Sequence, residues 1–212
     1  MMANEIQPAA PNDGAQLAAI FLESFSDEFN QRMFPPTADV RPFWMQQFNE
    51  TIEKIKSTEP TASKIKLLKI EQLDSEPKPV IAAFAKWKLY ETTKSREERQ
   101  KEAETTWPAS SDAALCDRFF GTLDKERRSA TADQPHYYLD MLGTRPQFNG
   151  RGLGSKLLNW GLSKADEEKV MVFLVSTPQG KQLYERYGFQ TVREYEAAPG
   201  YTMTSMLRPA RA

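Results

Sequence analysis

Between Arg145 and Leu162 the chain reads RPQFNGRGLGSKLLNWGL, with Gly150, Gly152 and Gly154 inside five residues and leucines at helical spacing behind them. Glycine in an ordered segment costs about 0.5–1 kcal/mol relative to alanine, so three together answer a need. A strand, a glycine turn and a helix in succession make an anion site. The first N–H groups of a helix have no intrahelical acceptor, and the helix dipole adds partial positive charge there. A turn without side chains then lets an anion's oxygens touch the backbone, and Arg151 can add charge from the rim. The turn lacks the Gly-Lys-Ser/Thr triplet of a P-loop, and its G-x-G-x-G spacing departs from the G-x-G-x-x-G dinucleotide fingerprint. Residue types alone leave two readings open, an anion cradle and a tight turn without ligand. The chain has one cysteine, Cys116, and one histidine, His136. No motif makes them a nucleophile pair, and they are too few for a metal ligand set, so no metal is expected. His136 opens a strand and reads as a surface or edge residue.

The elements that must hold this turn follow from periodicity. Residues 12–25 and Phe43–Ser57 read as helices, separated by MFPPTADVRP, whose prolines interrupt any helix. Ser63–Leu73 and Pro79–Glu91 read as an antiparallel hairpin around the turn DSEPKP. Thr92–Thr106 is almost wholly polar, a solvated helix or a mobile excursion, and Asp112–Arg128 reads as a helix. A strand His136–Thr144, the glycine turn and a helix Gly152–Glu168 come next. A strand Lys169–Ser176, a short helix Pro178–Tyr187 and two closing strands complete a mixed α/β order. The expectation is one domain, 1–212, in which 92–135 is an insertion too poor in apolar residues for its own core. A net charge of −1 gives no general attraction to nucleic acid or anionic membrane, and neither partner is expected. A single cysteine, no window of 18 apolar residues and no signal-peptide pattern in MMANEIQPAAPNDGAQ predict a cytoplasmic protein.

The segment TRPQFNGRGLGSKLL resembles the acyl-coenzyme A signature of the GNAT superfamily of N-acetyltransferases, in which a strand and a V-x-P-like step lead into a Q/R-x-x-G-x-G/A turn. Pro146, Asn149, Gly152 and Gly154 match it, with Asn149 standing where Gln or Arg is usual. STPQGKQLYERYGFQTV is similar to the family's later motif through Leu183, Tyr184, Gly188 and Phe189. The resemblance covers roughly residues 136–192, and the insert before it is similar to that of fungal-type members.

What the resemblance implies is a GNAT-like α/β fold of mixed α+β kind, with a central, mostly antiparallel twisted sheet, splayed middle strands and flanking helices. It implies acetyl-CoA as cosubstrate. The diphosphate would lie on the N–H groups of Asn149, Gly150, Arg151, Gly152, Leu153, Gly154 and Ser155. The pantetheine arm would run along Met141, Leu142, Gly143 and Thr144, with the Leu142 N–H on the oxyanion. Tyr184 resembles the family's general acid. Strand alternation puts His136, Tyr138, Asp140 and Leu142 on one face, with Tyr138 and Asp140 where members carry acid–base groups. Asp140 is then the base, directly or through water, or holds a cationic substrate, or is a structural carboxylate. Ser176 orients substrate or helps Thr177 cap the next helix, and Phe29, Phe34, Trp44 and Trp87 are candidates for the acceptor pocket. The expected reaction is direct acyl transfer to a primary amine, on a small molecule or a protein. Rivals are a catalytically inactive coenzyme A-binding module of the same fold and another nucleotide-binding enzyme using the turn for phosphate.

Overall fold

The computed structural model describes residues 5–57, 64–73, 79–91 and 105–211. The hairpin forms where alternation predicts it, from β2 (Ile65–Leu73) and β3 (Pro79–Tyr90) paired antiparallel. Most of its turn lies outside the described residues, as do residues 92–104 of the polar stretch. The short β1 (Ile6–Pro8), unmarked by any periodicity, adds to the free edge of β2. The chain continues through β4 (His136–Thr144), β5 (Met171–Ser176), β6 (Gln190–Ala198) and β7 (Tyr201–Arg208). Among the described residues these make a seven-stranded sheet ordered β1-β2-β3-β4-β5-β7-β6, in which only β4 and β5 run parallel.

Helices cover both faces. On one side lie α1 (Gly14–Ser24), α2 (Glu28–Met33), α3 (Val40–Lys56) and α4 (Ala113–Thr131). Their apolar faces bury Leu17, Phe21, Trp44, Phe48 and Leu115 against Ile81 and Phe84 of β3. The third helix starts earlier than the prolines suggest, because Pro42 falls in the first turn, where its missing N–H costs no helical bond. On the other face α5 (Leu153–Glu168) packs Leu157, Leu158, Leu162 and Ala165 against Ala85, Trp87 and Leu139. Contact is close: a methyl added at Gly161 would sit 2.3 Å from the Trp87 ring. The short α6 (Lys181–Arg186) follows β5. Among the described residues no helix is long and apolar enough to cross a membrane.

Candidate active site

The gap begins at the β4–β5 pair. Their ladder runs from His136 opposite Met171 to Leu139 opposite Leu174 and stops, while β4 continues to Thr144 and β5, paired along its other edge with β7 from Val172, continues to Ser176. On its other edge β4 stays paired with β3 as far as Thr144. The Arg145 N–H donates to the Ala82 carbonyl at 2.8 Å. Because an antiparallel ladder alternates its bonding direction, the Leu142 and Thr144 amides face away from β3, into the gap.

Beyond this edge stands the glycine turn. A 3-10 turn at Pro146–Phe148 buries Phe148 and delivers Gly150 and Gly152, both at φ +75°, to the head of α5. That conformation favours glycine, and Gly152 is the helix N-cap with no capping side chain. The first helical bond runs from the Lys156 N–H to the Gly152 carbonyl, so the Leu153, Gly154 and Ser155 amides lie ahead of the ladder. A methyl added at Gly150 or Gly152 would meet nothing within 4 Å. These residues therefore border open space rather than packed protein. Arg151 is exposed, its guanidinium 5.0 Å from the Phe148 ring centroid, and Asn149 is exposed beside it. Gly143 differs: an added methyl would press on Phe84 and Ser24, at 2.7 and 2.9 Å, so this glycine serves packing.

Alternation along β4 breaks at Asp140. Lys86 pairs with Met141 and Trp87 with Leu139, which leaves Asp140 as the extra residue of a β-bulge. The consequence corrects the sequence reading of this face. Met141 joins Asp140 toward the α1–α4 layer, whereas Leu142 turns to the α5 layer. His136 is also displaced from its expected place, being 1% exposed rather than at the surface. Its Nδ1 donates to the Gln134 carbonyl at 2.6 Å and its Nε2 accepts from Arg127 at 3.3 Å, the neutral form. Burial, with Arg127 adding, lowers its pKa to about 4.

On the α1–α4 face, Asp140 and Tyr138 look into a cavity of about 650 Å³. Phe43, Trp44, Trp107 and Phe120 form its aromatic side, and Lys86 and Lys88 its floor. Lys86 and Lys88 lie 3.3 and 3.0 Å from the same oxygen of Asp140. Burial alone would raise the Asp140 carboxyl, but the two ammonium groups hold it below the ordinary carboxylate value. Burial pulls the Lys86 ammonium down, with Asp140 opposing and Lys88 adding. Sequence reading missed both lysines; what places them is cross-strand register at the bulge. At one end Arg127 stacks 3.9 Å over Tyr90, which lies parallel to His136 at 5.0 Å. Asp39 accepts from the Ser110 N–H and hydroxyl, anchoring the segment that carries Trp107.

Of the aromatic candidates, Trp44 lines this cavity. Phe34 stands behind the wall, packed on Trp44 and Trp107, and Phe29 stacks on Tyr201 at 4.4 Å. Trp87 is a correction: it is 1% exposed and belongs to the α5 layer, because its β3 position faces Gly161. Ser176 is buried and donates to the Thr177 carbonyl at 2.7 Å. A methyl at Gly180 would meet the Ser176 hydroxyl at 3.0 Å and Tyr184 at 3.1 Å, so these two side chains flank one glycine at the end of β5. Tyr184 packs edge-on to Phe189 at 5.8 Å, on the α5 side, and burial raises its pKa. Cys116 is buried, its pKa raised to about 11 by desolvation, and is no nucleophile. Among the described residues no group of three or more His, Cys, Asp or Glu could hold a metal ion.

The family model of the acetyltransferase (GNAT) domain matches residues 72–208, well over half of the chain. The chain belongs to the GNAT acetyltransferase family. Solved structures share the fold over nearly the whole length. A histone acetyltransferase HPA2 and related acetyltransferase from Corynebacterium glutamicum is 20% identical, with 100% of this chain and 98% of that chain covered and a TM-score of 0.62. Arylalkylamine N-acetyltransferase 2 from Aedes aegypti is 14% identical at 98% and 99% coverage, TM-score 0.66. The Drosophila melanogaster polyamine N-acetyltransferase, which forms N-acetylagmatine, is 16% identical at 96% and 98% coverage, TM-score 0.60. The seven-stranded, mostly antiparallel sheet between helical layers is the GNAT fold, and the expected fold class is observed. Membership of the family implies acetyl-CoA as cosubstrate, and the open glycine turn has room for a diphosphate.

Proposed function

We propose that this GNAT domain transfers the acetyl group of acetyl-CoA to the amine of a small molecule by direct attack, without an acyl-enzyme. The observation that carries the reading is the gap beyond Leu139 and Leu174, which opens beside an uncapped glycine turn on one face and a cavity on the other. Acetyl-CoA supplies an activated thioester. The amides from Gly150 to Ser155 hold its diphosphate, the Asn149 N–H being taken by the Pro146 carbonyl at 3.1 Å, and the outward Leu142 and Thr144 amides pair with its arm as a strand edge would. The Leu142 N–H faces the oxyanion as the amine nitrogen attacks the carbonyl carbon. The nitrogen loses one proton and the departing sulfur gains one, so amine and thioester become amide and thiol. Tyr184, on the α5 side, gives the sulfur its proton and recovers one from solvent. Burial keeps its phenol protonated, and no hydrogen bond within the described residues engages its hydroxyl.

Asp140 faces the acceptor. Held below its ordinary pKa, it is a weak base and acts by orienting the amine's hydrogens, so the acceptor arrives deprotonated. A cavity of about 650 Å³ supports a small acceptor over a protein amino group. The arylalkylamine and polyamine acetyltransferases of the same fold support small amines as a class. The test is a panel of primary amines with acetyl-CoA, following released thiol, beside calorimetry of coenzyme A binding. Thiol release with an N-acetylated product supports the reading; coenzyme A binding without turnover of any amine refutes it in favour of a binding module.

A further inference from the structure

Asp39 stands immediately ahead of α3, and aspartate is among the residues best suited to cap a helix N-terminus. Its side chain nevertheless makes no cap hydrogen bond. It reaches instead to Ser110, 71 residues further along the chain, where Oδ2 accepts from the backbone N–H at 3.1 Å and Oδ1 from the hydroxyl at 2.8 Å. The Thr37 hydroxyl joins the same tie, 2.7 Å from Oδ1 and 2.6 Å from the Ser110 hydroxyl. These donors, Thr37 first, lower the Asp39 carboxyl to about 2, so it stays ionised and its hydrogen bonds are charge-assisted. What the tie holds is residues 105–111, which form no helix or strand of their own. This segment supplies Thr105 and Trp107 to the cavity lining. The Trp107 indole N–H donates to Asp117 of α4 at 2.7 Å, and the ring stacks on Phe120 at 5.1 Å. Toward α3 it lies 5.9 Å from the Phe43 ring. One aromatic side chain thus closes the cavity between two helices, its backbone tied to the head of one and its indole to the other.

We propose that Asp39 is a positioning residue for the acceptor: through Ser110 it sets Trp107 as the wall on which the apolar body of the incoming amine packs. Asp117 fixes the indole to α4. The Asp39 tie fixes the backbone that carries it to the head of α3, whose Phe43, Trp44 and Gln47 line the same space. The width of the cavity between the two helices then follows from the tie. An aspartate that only capped a helix would act on α3 and on every substrate alike. This one acts on an amine large enough to reach Trp107, and leaves untouched the coenzyme turn at the head of α5, on the other face of the sheet. The inference rests on the acetyltransferase reading above, and its test separates the two.

The experiment compares 2-phenylethylamine with ethylamine, the same amine without the ring, as acceptors for the full chain and for its Asp39→Ala, Trp107→Ala and doubly substituted variants. Asp39→Ala is expected to raise KM for 2-phenylethylamine by about 2- to 10-fold, the worth of one aromatic contact, with kcat unchanged. For ethylamine, kcat/KM is expected to stay as in the parent, as is Kd for coenzyme A. Trp107→Ala is expected to raise the same KM at least as far. Adding Asp39→Ala to it then changes nothing more, because both act through one ring. Hydrogen exchange at the Ser110 amide is expected to quicken in Asp39→Ala, the sign that the tie has opened in folded protein. An unmoved KM for 2-phenylethylamine, unchanged exchange at Ser110, equal losses with both amines or additive effects in the double variant overturn the inference and leave the acetyltransferase reading standing. If the parent turns over no 2-phenylethylamine the inference falls, and the reading falls with it only when every other amine of the panel is inert.

Discussion

Gly152→Ala separates a glycine kept for a ligand from one kept for packing. At φ +75° an L-residue costs about 1–2 kcal/mol, and the new methyl meets no neighbour within 4 Å, so no steric cost joins it. For a chain of this length that corresponds to a fall in Tm of about 2–8 °C. The protein stays folded at 25 °C. The methyl, however, enters the open space at the head of α5, by the Leu153, Gly154 and Ser155 amides, where the proposed reading puts the diphosphate of coenzyme A. Loss of one hydrogen bond to a charged oxygen costs about 1.5–3 kcal/mol, so Kd for coenzyme A is expected to rise by about 10- to 150-fold. Gly161→Ala is the control with the opposite signature. Its methyl would lie 2.3 Å from the Trp87 ring, and overpacking of this kind costs about 1–3 kcal/mol or more without touching the turn. Thermal denaturation and calorimetry with coenzyme A, run on both variants, give the answer. A Gly152→Ala protein that melts lower yet binds coenzyme A with unchanged Kd refutes the cradle, leaving Gly152 as a turn residue only.

The other expectations concern single side chains. Tyr184→Phe is expected to cut kcat by about 10²–10⁴-fold with coenzyme A affinity and Tm unchanged, since its hydroxyl holds no hydrogen bond among the described residues; unaltered turnover removes Tyr184 as the acid. His136 has a folded pKa depressed to about 4 from 6.5, so its contribution is full above pH 6.5 and is lost as pH falls toward 4. The loss amounts to roughly 3 kcal/mol, read as parent stability in urea falling more steeply than that of His136→Gln over that window. Parallel slopes in the two proteins contradict it. Cys116 is expected to resist alkylating reagents at pH 7.5 until the protein unfolds, and Cys116→Ala to keep full turnover, checked by mass spectrometry and thiol release.

What the residues revealed in advance was local. The glycine turn, the leucine face of α5 and the hairpin each come from contiguous stretches whose chemistry is complete in itself. The neighbours of a residue across the sheet are not contiguous, and there the reading failed. Trp87 looks like any aromatic available for a pocket until β3 is paired, when it falls on the α5 face. His136 opens its strand yet is buried, because α4 lays Arg127 over Tyr90 and against it. The helix α2 is too short for periodicity to announce, although its cap is legible afterwards in Asp27, which accepts from the Asn30 N–H at 3.0 Å.

One residue accounts for the largest difference. A regular β4 of the same length would turn Leu142 toward the cavity lined by Trp44 and Trp107 and Met141 away from it, with Asp140 alone between strand neighbours. The bulge at Asp140 puts carboxylate and thioether side by side on the cavity face and returns Leu142 to the α5 layer. Twist increases at such a point, and it comes one residue beyond the last pair with β5, where the strands must part. Deleting the extra residue is therefore expected to do more than remove a carboxylate. It would close the ladder without moving a side chain to the other face, since Met141 already lies opposite Lys86 and Leu139 opposite Trp87, but it would take out the added twist where β4 and β5 part. Asp140→Asn keeps the bulge and removes only the charge that Lys86 and Lys88 share. If the gap matters more than the carboxylate, Asp140→Asn retains coenzyme A binding while the deletion abolishes it. Equal loss in both would place the weight on the charge instead.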